Sequence, residues 1–371
     1  HMSWWHVYLA VGMFATALSA PLTGFACRLG RRIGFVDRPH RETHKSHGTA
    51  VSMLGGCAIF LAWLGTVVAG FILAPQMLPL VSAPVADYIP AIEKALPRLA
   101  VIAAGGAALL VLGILDDWKP MPALPKFIGQ LAVAVLTASA GIKVTFFIAQ
   151  PVIVFLMTTL WILFIINAIN FFDNMDGLAG GSVFIASLLF LIAAVIREQF
   201  FVATLAATTA GATLGFLFHN WPPARIFMGD SGSHFLGYML AVVGAMTTFY
   251  EHSVNTTHAP VLIPLLILAL PIFDVFAVVV IRFRRKQPIY KGDQMHISHR
   301  FVHLGLSRRT AVVVVHLLAF SIGAGALSLL WVPAAGAVVV LMQAAAMLVL
   351  ITILHTAHLV SRVSNNIEND K

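Results

Sequence analysis

Residues 151–177 read PVIVFLMTTLWILFIINAINFFDNMDG, an apolar run that contains no charged residue before Asp173. A helix that crosses the hydrocarbon core of a bilayer needs about 20 mostly apolar residues. Residues 151–169 meet that requirement, and polar side chains follow at once. The stretch therefore predicts a membrane-spanning helix that brings polar groups to one boundary of the membrane.

The same pattern repeats along the 371-residue chain, which is 59% hydrophobic and only 10% charged. A soluble domain carries roughly 25% charged residues, and a disordered chain is poor in apolar residues, so both classes are excluded. The composition predicts an all-α polytopic membrane protein. Its expected spans number about eleven, at residues 4–26, 51–73, 98–115, 126–142, 151–169, 180–196, 200–218, 232–250, 260–281, 311–330 and 334–359.

We expect a single integral-membrane domain over residues 1–371, with residues 1–2 as an expression scar. All but four of the 23 Lys and Arg residues fall in the breaks after odd-numbered spans or in the C-terminal tail; the exceptions are Lys94, Arg98, Lys143 and Arg197. This bias predicts an N-terminus outside and a C-terminus in the cytoplasm. It also explains the net charge of +8 without a nucleic-acid partner. The cytoplasmic loops are expected at about 27–50, 116–125, 170–179, 219–231 and 282–310.

The acidic residues of those loops lie mostly against the ends of apolar runs, which predicts an acidic cluster at one membrane face. Asp274 is different, because it falls within a predicted span. It lies eight residues before Arg282, which is roughly 12 Å along a helix. An ionisable group at that depth is a functional candidate. A pair with Arg282 is the alternative, and both interpretations stay open.

The pair Asp116-Asp117 ends the third predicted span. Two adjacent carboxylates repel each other unless a cation or a shared proton relieves them. A divalent metal ion would supply that relief. A solvated helix end, with Lys119 as a neighbour, is the alternative.

Polar residues recur every three positions at the end of the fifth span, at Asn167, Asn170, Asp173 and Asp176. On a helix, neighbours in this series share a face. Amides and carboxylates in that arrangement offer both donors and acceptors to a polar ligand such as a base or a sugar. Hydrogen bonding between helices is the alternative.

The string Gly229-Asp230-Ser231-Gly232-Ser233 leads into the eighth span. Glycines beside an acid and two hydroxyls let backbone amides approach an anion or its metal ion at a helix N-terminus. Asp and Ser are also common N-cap residues, so the string alone is weak evidence.

The loop at 282–310 is basic and contains His296, His299, Arg300 and His303. Their spacing would place them on one helical face with several phosphate donors. A zinc site at His296 and His299 is the alternative, but neither Cys nor Glu accompanies them at zinc spacing. Phosphate contact is therefore the preferred interpretation.

Taken in order, these strings resemble the polyprenyl-phosphate N-acetylhexosamine-1-phosphate transferase superfamily over residues 37–310. Asp116-Asp117 is similar to its aspartate-rich motif, and residues 170–177 are similar to its N-x-x-D-G-x-D-G signature, with Asn174 in place of a glycine. Further similar stretches are Asp37-Arg38-Pro39, Lys45-Ser46-His47, Gly55-Gly56 with Ser52 where proline is usual, Pro223–Ser233, Pro271–Asp274, and His296–Arg300 with Ser298 in place of a histidine.

The resemblance implies that the chain transfers N-acetylhexosamine-1-phosphate from a UDP-amino sugar, first of all UDP-N-acetylglucosamine, to undecaprenyl or another polyprenyl phosphate. UMP is released, and a lipid-linked cell-surface glycan is begun. The implied cofactor is Mg²⁺, with Mn²⁺ as a substitute, held by Asp230 and Asp117. Asp116 would be the acid/base or acceptor-positioning carboxylate. Substrate contacts are implied for Lys45, His47, Asn170, Asp173, Asp176, His296, His299 and Arg300.

The resemblance also implies a multi-pass protein of the cytoplasmic (inner) membrane, with its active site on the cytoplasmic face and a homodimeric assembly. A phospho-N-acetylmuramoyl-pentapeptide transferase (MraY-like) is the alternative within the superfamily. A cation-coupled membrane transporter is the alternative from another class, and it predicts acids near the membrane midplane and two repeated halves. The absence of an internal repeat and the position of the acids at span ends favour the transferase.

Overall fold

The computed structural model describes residues 4–37, 50–77, 89–144, 150–247, 249, 257–284, 286 and 296–369. The chain divides into two compact units, His1–Phe249 and Tyr250–Lys371. The single domain over 1–371 stays a prediction.

The described part of the first unit is almost entirely helical. Its helices are α1 (Trp4–Ile33), α2 (Gly55–Met77), α3 (Ile89–Trp118), α4 (Ala123–Ser139), α5 (Pro151–Phe172), α6 (Leu178–Ile196), α7 (Phe200–Asn220) and α8 (Gly229–Met246). Two short strands, β1 (Val36–Asp37) and β2 (Val51–Ser52), pair antiparallel with Val36 opposite Ser52.

The second unit is helical as well in the residues that are described. Its helices are α9 (Ile263–Ile267), α10 (Ala269–Arg284), α11 (Ile297–His303), α12 (Arg308–Leu327) and α13 (Ala334–Asn369), with 3-10 turns at Ala259–Leu262 and Ser328–Leu330.

The all-α polytopic membrane fold predicted from composition is confirmed. Over the described residues, eight helices are long and apolar enough to cross a membrane. A ninth span results if the segments Ala259–Ile267 and Ala269–Arg284, which are bent by 72°, count as one. Helices satisfy every backbone polar group within the segment, which is what the bilayer interior demands. The count of eleven spans stays a prediction, because α4 is short and α8 is not among the eight.

Helix α7 is the most enclosed of the eight spans, with 78% of its apolar window buried against 17% for α13. Its sequence is rich in Ala, Gly and Thr, which lets neighbouring backbones come close. Thr16 on α1 donates a hydrogen bond to the carbonyl oxygen of Gly211 at 3.1 Å, and Ser19 donates to that of Ala212 at 2.6 Å. Small residues and short hydroxyls thus fasten α1 to α7.

Several helices extend into regions that the sequence analysis assigned to loops. Helix α1 continues to Ile33, and α3 continues to Trp118. Asp116 and Asp117 therefore lie in the last turn of α3, and Asn170 lies in the last turn of α5. The helices thus continue through the polar residues at their ends, and the cytoplasmic loops at about 27–50, 116–125 and 170–179 stay predictions.

Gly113 sets the distance between α3 and α8. A Cβ atom at this position would overlap the backbone of Ser231 at the start of α8. Asp117 lies one turn further along α3. Because Gly113 has no side chain, the two helices approach closely enough for the carboxylate of Asp117 to reach the first amides of α8.

We expect Gly113→Ala to lower the melting temperature and to reduce activity, because an overpacked contact costs about 1–3 kcal/mol. Gly70→Ala is the matched control, since a Cβ atom there meets nothing within 4 Å. Thermal unfolding of the two purified variants in detergent measures the difference. Equal melting temperatures would show that the α3–α8 contact is not tight.

Candidate functional site

The ends of four helices bring polar residues together in the first unit. Asp116 and Asp117 come from the end of α3, and Lys126 comes from the first turn of α4. Asn170 lies at the end of α5, and Asp230 lies in the first turn of α8. We call these five residues the carboxylate site.

Asp117 holds the beginning of α8. Its Oδ1 accepts a hydrogen bond from the backbone N–H of Asp230 at 2.8 Å, and its Oδ2 accepts one from that of Ser231 at 3.2 Å. A negative charge is stabilised at a helix N-terminus, where the first amides lack partners within the helix. The string at 229–233 was predicted to bring backbone amides to an anion, and the anion they meet is the protein's own carboxylate.

Gly229 makes this contact possible. Its φ angle is +65°, and a Cβ atom there would lie 2.5 Å from Oδ2 of Asp117. Any other residue would be strained in its backbone and would push against the carboxylate.

Lys126 connects two other acids of the site. Its Nζ lies 2.8 Å from Oδ2 of Asp116 and also forms an ion pair with Asp230. The other oxygen of Asp116 accepts the backbone N–H of Met121 at 2.6 Å. Lys126 was not predicted as a site residue, because this lysine beside an apolar run was interpreted only as a topology signal. A lysine four positions before Gln130 on an otherwise apolar helix was the available signal.

Asn170 reaches Asp230 from the other side. Its Nδ2 donates to Oδ1 of Asp230 at 2.8 Å and to Oγ of Ser233 at 2.9 Å. Two carboxylates pair with Lys126, and that of Asp230 is the more exposed: 31% of the Asp230 side chain is accessible to solvent, against 11% for Asp116. Asp230 is therefore better placed than Asp116 to bind a ligand.

A second polar layer lies one helical turn below the carboxylate site. It contains Gln130, His234 and Asn167, and Gln130 and His234 are almost fully buried. Gln130 Nε2 lies 3.1 Å from His234 Nε2, and Asn167 donates to Gln130 Oε1 at 2.8 Å. Because both layers contain one residue each from α4, α5 and α8, the lower layer fixes the register of three of the four helices that form the upper one.

Asp173 and Asp176 lie beyond the end of α5. The helix stops at Phe172 with Asp173 as its C-cap, so the predicted helical face that continues to Asp176 is wrong. Desolvation, together with the negative charges of Asp230, Asp117 and Asp176, raises the pKa of Asp173 to about 8. This acid therefore stands in a strongly negative environment, which a cation would relieve.

Asp176 supports the loop that precedes α8. Its Oδ2 accepts the backbone N–H of Ala224 at 2.9 Å. From the other side of this loop, the N–H of Phe227 donates to the carbonyl oxygen of Ser52 at 2.8 Å. The Ser52 hydroxyl donates to the carbonyl oxygen of Ala26 at 3.1 Å, an interaction that proline cannot make. These contacts place the chain just before Gly229.

The histidine segment belongs to the second unit. Helix α11 begins at Ile297 with His296 as its N-cap, and Arg300 is buried within it. His296 Nδ1 lies 2.7 Å from Oδ2 of Asp274. Asp274 thus pairs with the histidine segment, and not with Arg282 as in the alternative interpretation of the sequence. Lys45 and His47 lie outside the described residues.

The carboxylate site fits Mg²⁺ by its donor chemistry. Mg²⁺ is commonly bound by one or two carboxylates together with substrate phosphates. Asp117 and Asp230 supply two carboxylates on adjacent helix ends. Within the described ranges there is no group of three or more His, Cys, Asp or Glu residues arranged as a complete metal site. Water and substrate oxygens would complete the coordination.

Fold and site together define an integral-membrane protein with a lysine-bridged carboxylate site at the ends of apolar helices. Residues 99–248 match the model of glycosyl transferase family 4. A Bacillus subtilis protein named probable undecaprenyl-phosphate N-acetylglucosaminyl 1-phosphate transferase is 34% identical over 312 residues, 81% of this chain and 78% of that protein. The chain belongs to glycosyl transferase family 4 and is a membrane-embedded transferase.

Two further relatives differ in how much of the chain they match. A Mycobacterium tuberculosis protein named decaprenyl-phosphate N-acetylglucosaminephosphotransferase is 28% identical over 346 residues, 86% of this chain and 81% of that protein. A Streptococcus thermophilus phospho-N-acetylmuramoyl-pentapeptide-transferase is 38% identical over 120 residues, 32% of each chain. The likeness to the N-acetylglucosamine enzymes thus extends over far more of the chain.

We expect Lys126→Met to lower the melting temperature, because it leaves two partly buried carboxylates without their counter-ion. The cost should stay below the roughly 3–5 kcal/mol of a fully buried pair, because water screens these charges in part. Lys119→Met is the matched control, since Lys119 is exposed just beyond the end of α3. Lys126→Arg should fall between the two. Thermal unfolding at neutral pH gives the comparison, and equal stability of the two Met variants would contradict a structural role for the lysine bridge.

Proposed function

We propose that this protein transfers N-acetylhexosamine-1-phosphate from a UDP-amino sugar, most naturally UDP-N-acetylglucosamine, to undecaprenyl phosphate and releases UMP. The product would be the first lipid-linked intermediate of a cell-surface glycan. The observation that carries the proposal is the carboxylate site itself, with three acids, a lysine and an amide at the ends of apolar helices. Two relatives that match most of the chain are named as an N-acetylglucosaminyl 1-phosphate transferase and an N-acetylglucosaminephosphotransferase, which supports the same activity.

The location of the site suits two substrates of opposite solubility. A nucleotide sugar is anionic and soluble, whereas a polyprenyl phosphate is a lipid with its phosphate at the membrane boundary. A reaction between them requires polar groups where apolar helices end, and that is where Lys126 and Asp230 lie.

The proposed topology has eleven spans, an N-terminus outside and a cytoplasmic C-terminus, with the site on the cytoplasmic face of the inner membrane. The pairs Lys126–Asp230 and Gln130–His234 both join residues 104 positions apart, so α4 and α8 run parallel. The pairs Asn170–Asp230 and Trp161–Ala241 make α5 antiparallel to α8. These directions support alternating spans, with α4 and α8 as the fourth and eighth.

The proposed reaction is a phosphoryl displacement. An oxygen of the acceptor phosphate attacks the phosphorus that carries the sugar, and the bond from that phosphorus to the oxygen of UMP breaks. Bound Mg²⁺, held by Asp230 and Asp117, would neutralise charge on the diphosphate oxygens. Lys126 would bind a substrate phosphate in exchange for one of its carboxylate partners. Asp116 would orient the acceptor phosphate or take its proton.

The remaining site residues would bind the donor. Asn170 offers its amide and Asp173 its carboxyl group beside Asp230, while Asp176 holds the loop at Ala224 and would act on the nucleotide indirectly. Contacts of Lys45, His47, His296, His299 and Arg300 with phosphate or sugar rest on the resemblance of their motifs. The homodimer is likewise a proposal, and light scattering of the detergent-solubilised protein tests it.

A phospho-N-acetylmuramoyl-pentapeptide transferase is the second candidate. The relative of that name matches only 32% of the chain, which favours the N-acetylglucosamine substrate. A transporter has no support, because the chain belongs to a transferase family.

The proposal is tested by incubating purified protein with undecaprenyl phosphate, Mg²⁺ or Mn²⁺, and each of several UDP-sugars in turn. We expect UMP release and a new lipid-linked sugar with UDP-N-acetylglucosamine, and neither product without the lipid or the metal. Activity with the UDP-muramoyl pentapeptide instead would establish the second candidate. UMP release that does not require the lipid would contradict both.

We expect Asp230→Asn to lower the rate of UMP release by orders of magnitude, because it removes the charge of the proposed metal ligand while keeping its shape. Glu198→Gln is the control, since this acid is exposed at the turn between α6 and α7. Near-normal turnover of Asp230→Asn at saturating Mg²⁺ would reject the assignment.

The roles of Asp116 and Asp117 should separate in their variants. Asp117→Asn should raise the Mg²⁺ concentration for half-maximal rate, be partly rescued by extra metal, and lower the melting temperature, because the neutral side chain holds α8 less well. Asp116→Asn should lower the maximal rate without metal rescue. Its defect should shrink at high pH, where the second phosphate proton, with a pKa of roughly 6, is already lost. Identical metal and pH profiles would show that the two acids share one role.

A further inference from the structure

Asp274 is a carboxylate buried within α10, and its side chain is 1% exposed. An acid this enclosed needs partners for both oxygens if it is to keep its charge. The described structure supplies both from one place, the start of α11.

The two contacts are short. The backbone N–H of Ile297 donates to Oδ1 of Asp274 at 2.7 Å. Nδ1 of His296 lies 2.7 Å from Oδ2. Because Ile297 follows His296 directly, the carboxylate of Asp274 binds both the main chain and the imidazole ring of the same segment. The ring cannot rotate without losing its contact with Oδ2 of Asp274.

These contacts fix which nitrogen of His296 carries the proton. An ionised carboxylate only accepts hydrogen bonds, and each oxygen of Asp274 lies against one nitrogen atom of the histidine segment. Nδ1 must then be the donor. In the neutral ring Nε2 is left as the acceptor, and the ring can gain a second proton there without losing its contact with Asp274.

We propose that Asp274 is a positioning residue: it holds the ring of His296 so that Nε2 is the nitrogen that contacts substrate. The inference rests on the proposed function, in which His296 contacts phosphate or sugar, and it adds a role for an acid that makes no such contact itself. Nε2 could then accept a proton from substrate, or, once protonated, donate to a phosphate oxygen.

The Asp274→Asn variant separates this role from simple packing. The amide oxygen would still accept the N–H of Ile297, but the amide nitrogen would then face Nδ1 and donate to it. The neutral ring would have to move its proton to Nε2, so the variant keeps the shape of the contact and reverses the tautomer.

The first test is a nitrogen-15 NMR spectrum of the full-length protein labelled at histidine, with His296 assigned from the missing signals of His296→Gln. We expect Nδ1 to be protonated in the wild-type protein, and Nε2 alone to be protonated in Asp274→Asn. A wild-type ring that is neutral with a bare Nδ1 would overturn the inference. The wild-type spectrum decides this point even if Asp274→Asn does not fold.

The second test is a double-mutant cycle in the UMP-release assay. The loss of a carboxylate that orients a metal-binding histidine costs about 10- to 100-fold, and we expect a loss of the same order in Asp274→Asn. The double variant with His296→Gln should be no slower than His296→Gln alone. Effects that multiply would show that Asp274 acts independently of His296. If no transferase activity exists at all, the proposed function fails, while the NMR spectrum still tests the orientation of the ring.

Discussion

The carboxylate of Asp117 on the first two amides of α8 is the contact around which the site is arranged. This contact gives hydrogen-bond acceptors to the first N–H groups of α8 and gives donors to the carboxylate of Asp117. It requires a glycine on each helix, Gly113 and Gly229, because the two backbones approach closely there. Once α3 and α8 are joined there, Asp230 faces Lys126 and Asn170. A helix terminus, an ammonium group and an amide thus offset part of the repulsion among the carboxylates of the site.

Much of this could be predicted from sequence because it depends on local patterns. Long apolar runs predicted the helical membrane fold, which is confirmed, and four of the predicted site residues, Asp116, Asp117, Asn170 and Asp230, lie together in the structure. Their proposed roles in metal and substrate binding are still predictions. Helix ends were placed too early, because polar residues were assumed to lie outside the helices that in fact carry them.

The interactions that the sequence could not predict join residues far apart in the chain. Lys126 and Asp230 are separated by 104 positions, and Asp176 and Ala224 by 48. Neither pairing can be read from the spacing of residues along the chain, so the contacts of Lys126 with Asp230 and of Asp176 with Ala224 were not predicted. Asp274 was recognised as unusual from its depth, but its partner His296 lies 22 residues away and could not be chosen over Arg282 from the sequence.

The parallel pairing of α4 with α8 also bears on how the chain enters the membrane. Lys126, Gln130 and Thr137 form a polar stripe on a helix of only 17 residues, and all three find their partners on α8. Those partners are synthesised about 100 residues later, which at roughly 5–20 residues per second is a delay of about 5–20 s. Helix α4 therefore cannot form these contacts when it leaves the ribosome, and its polar stripe reaches its partners only after α8 has been synthesised.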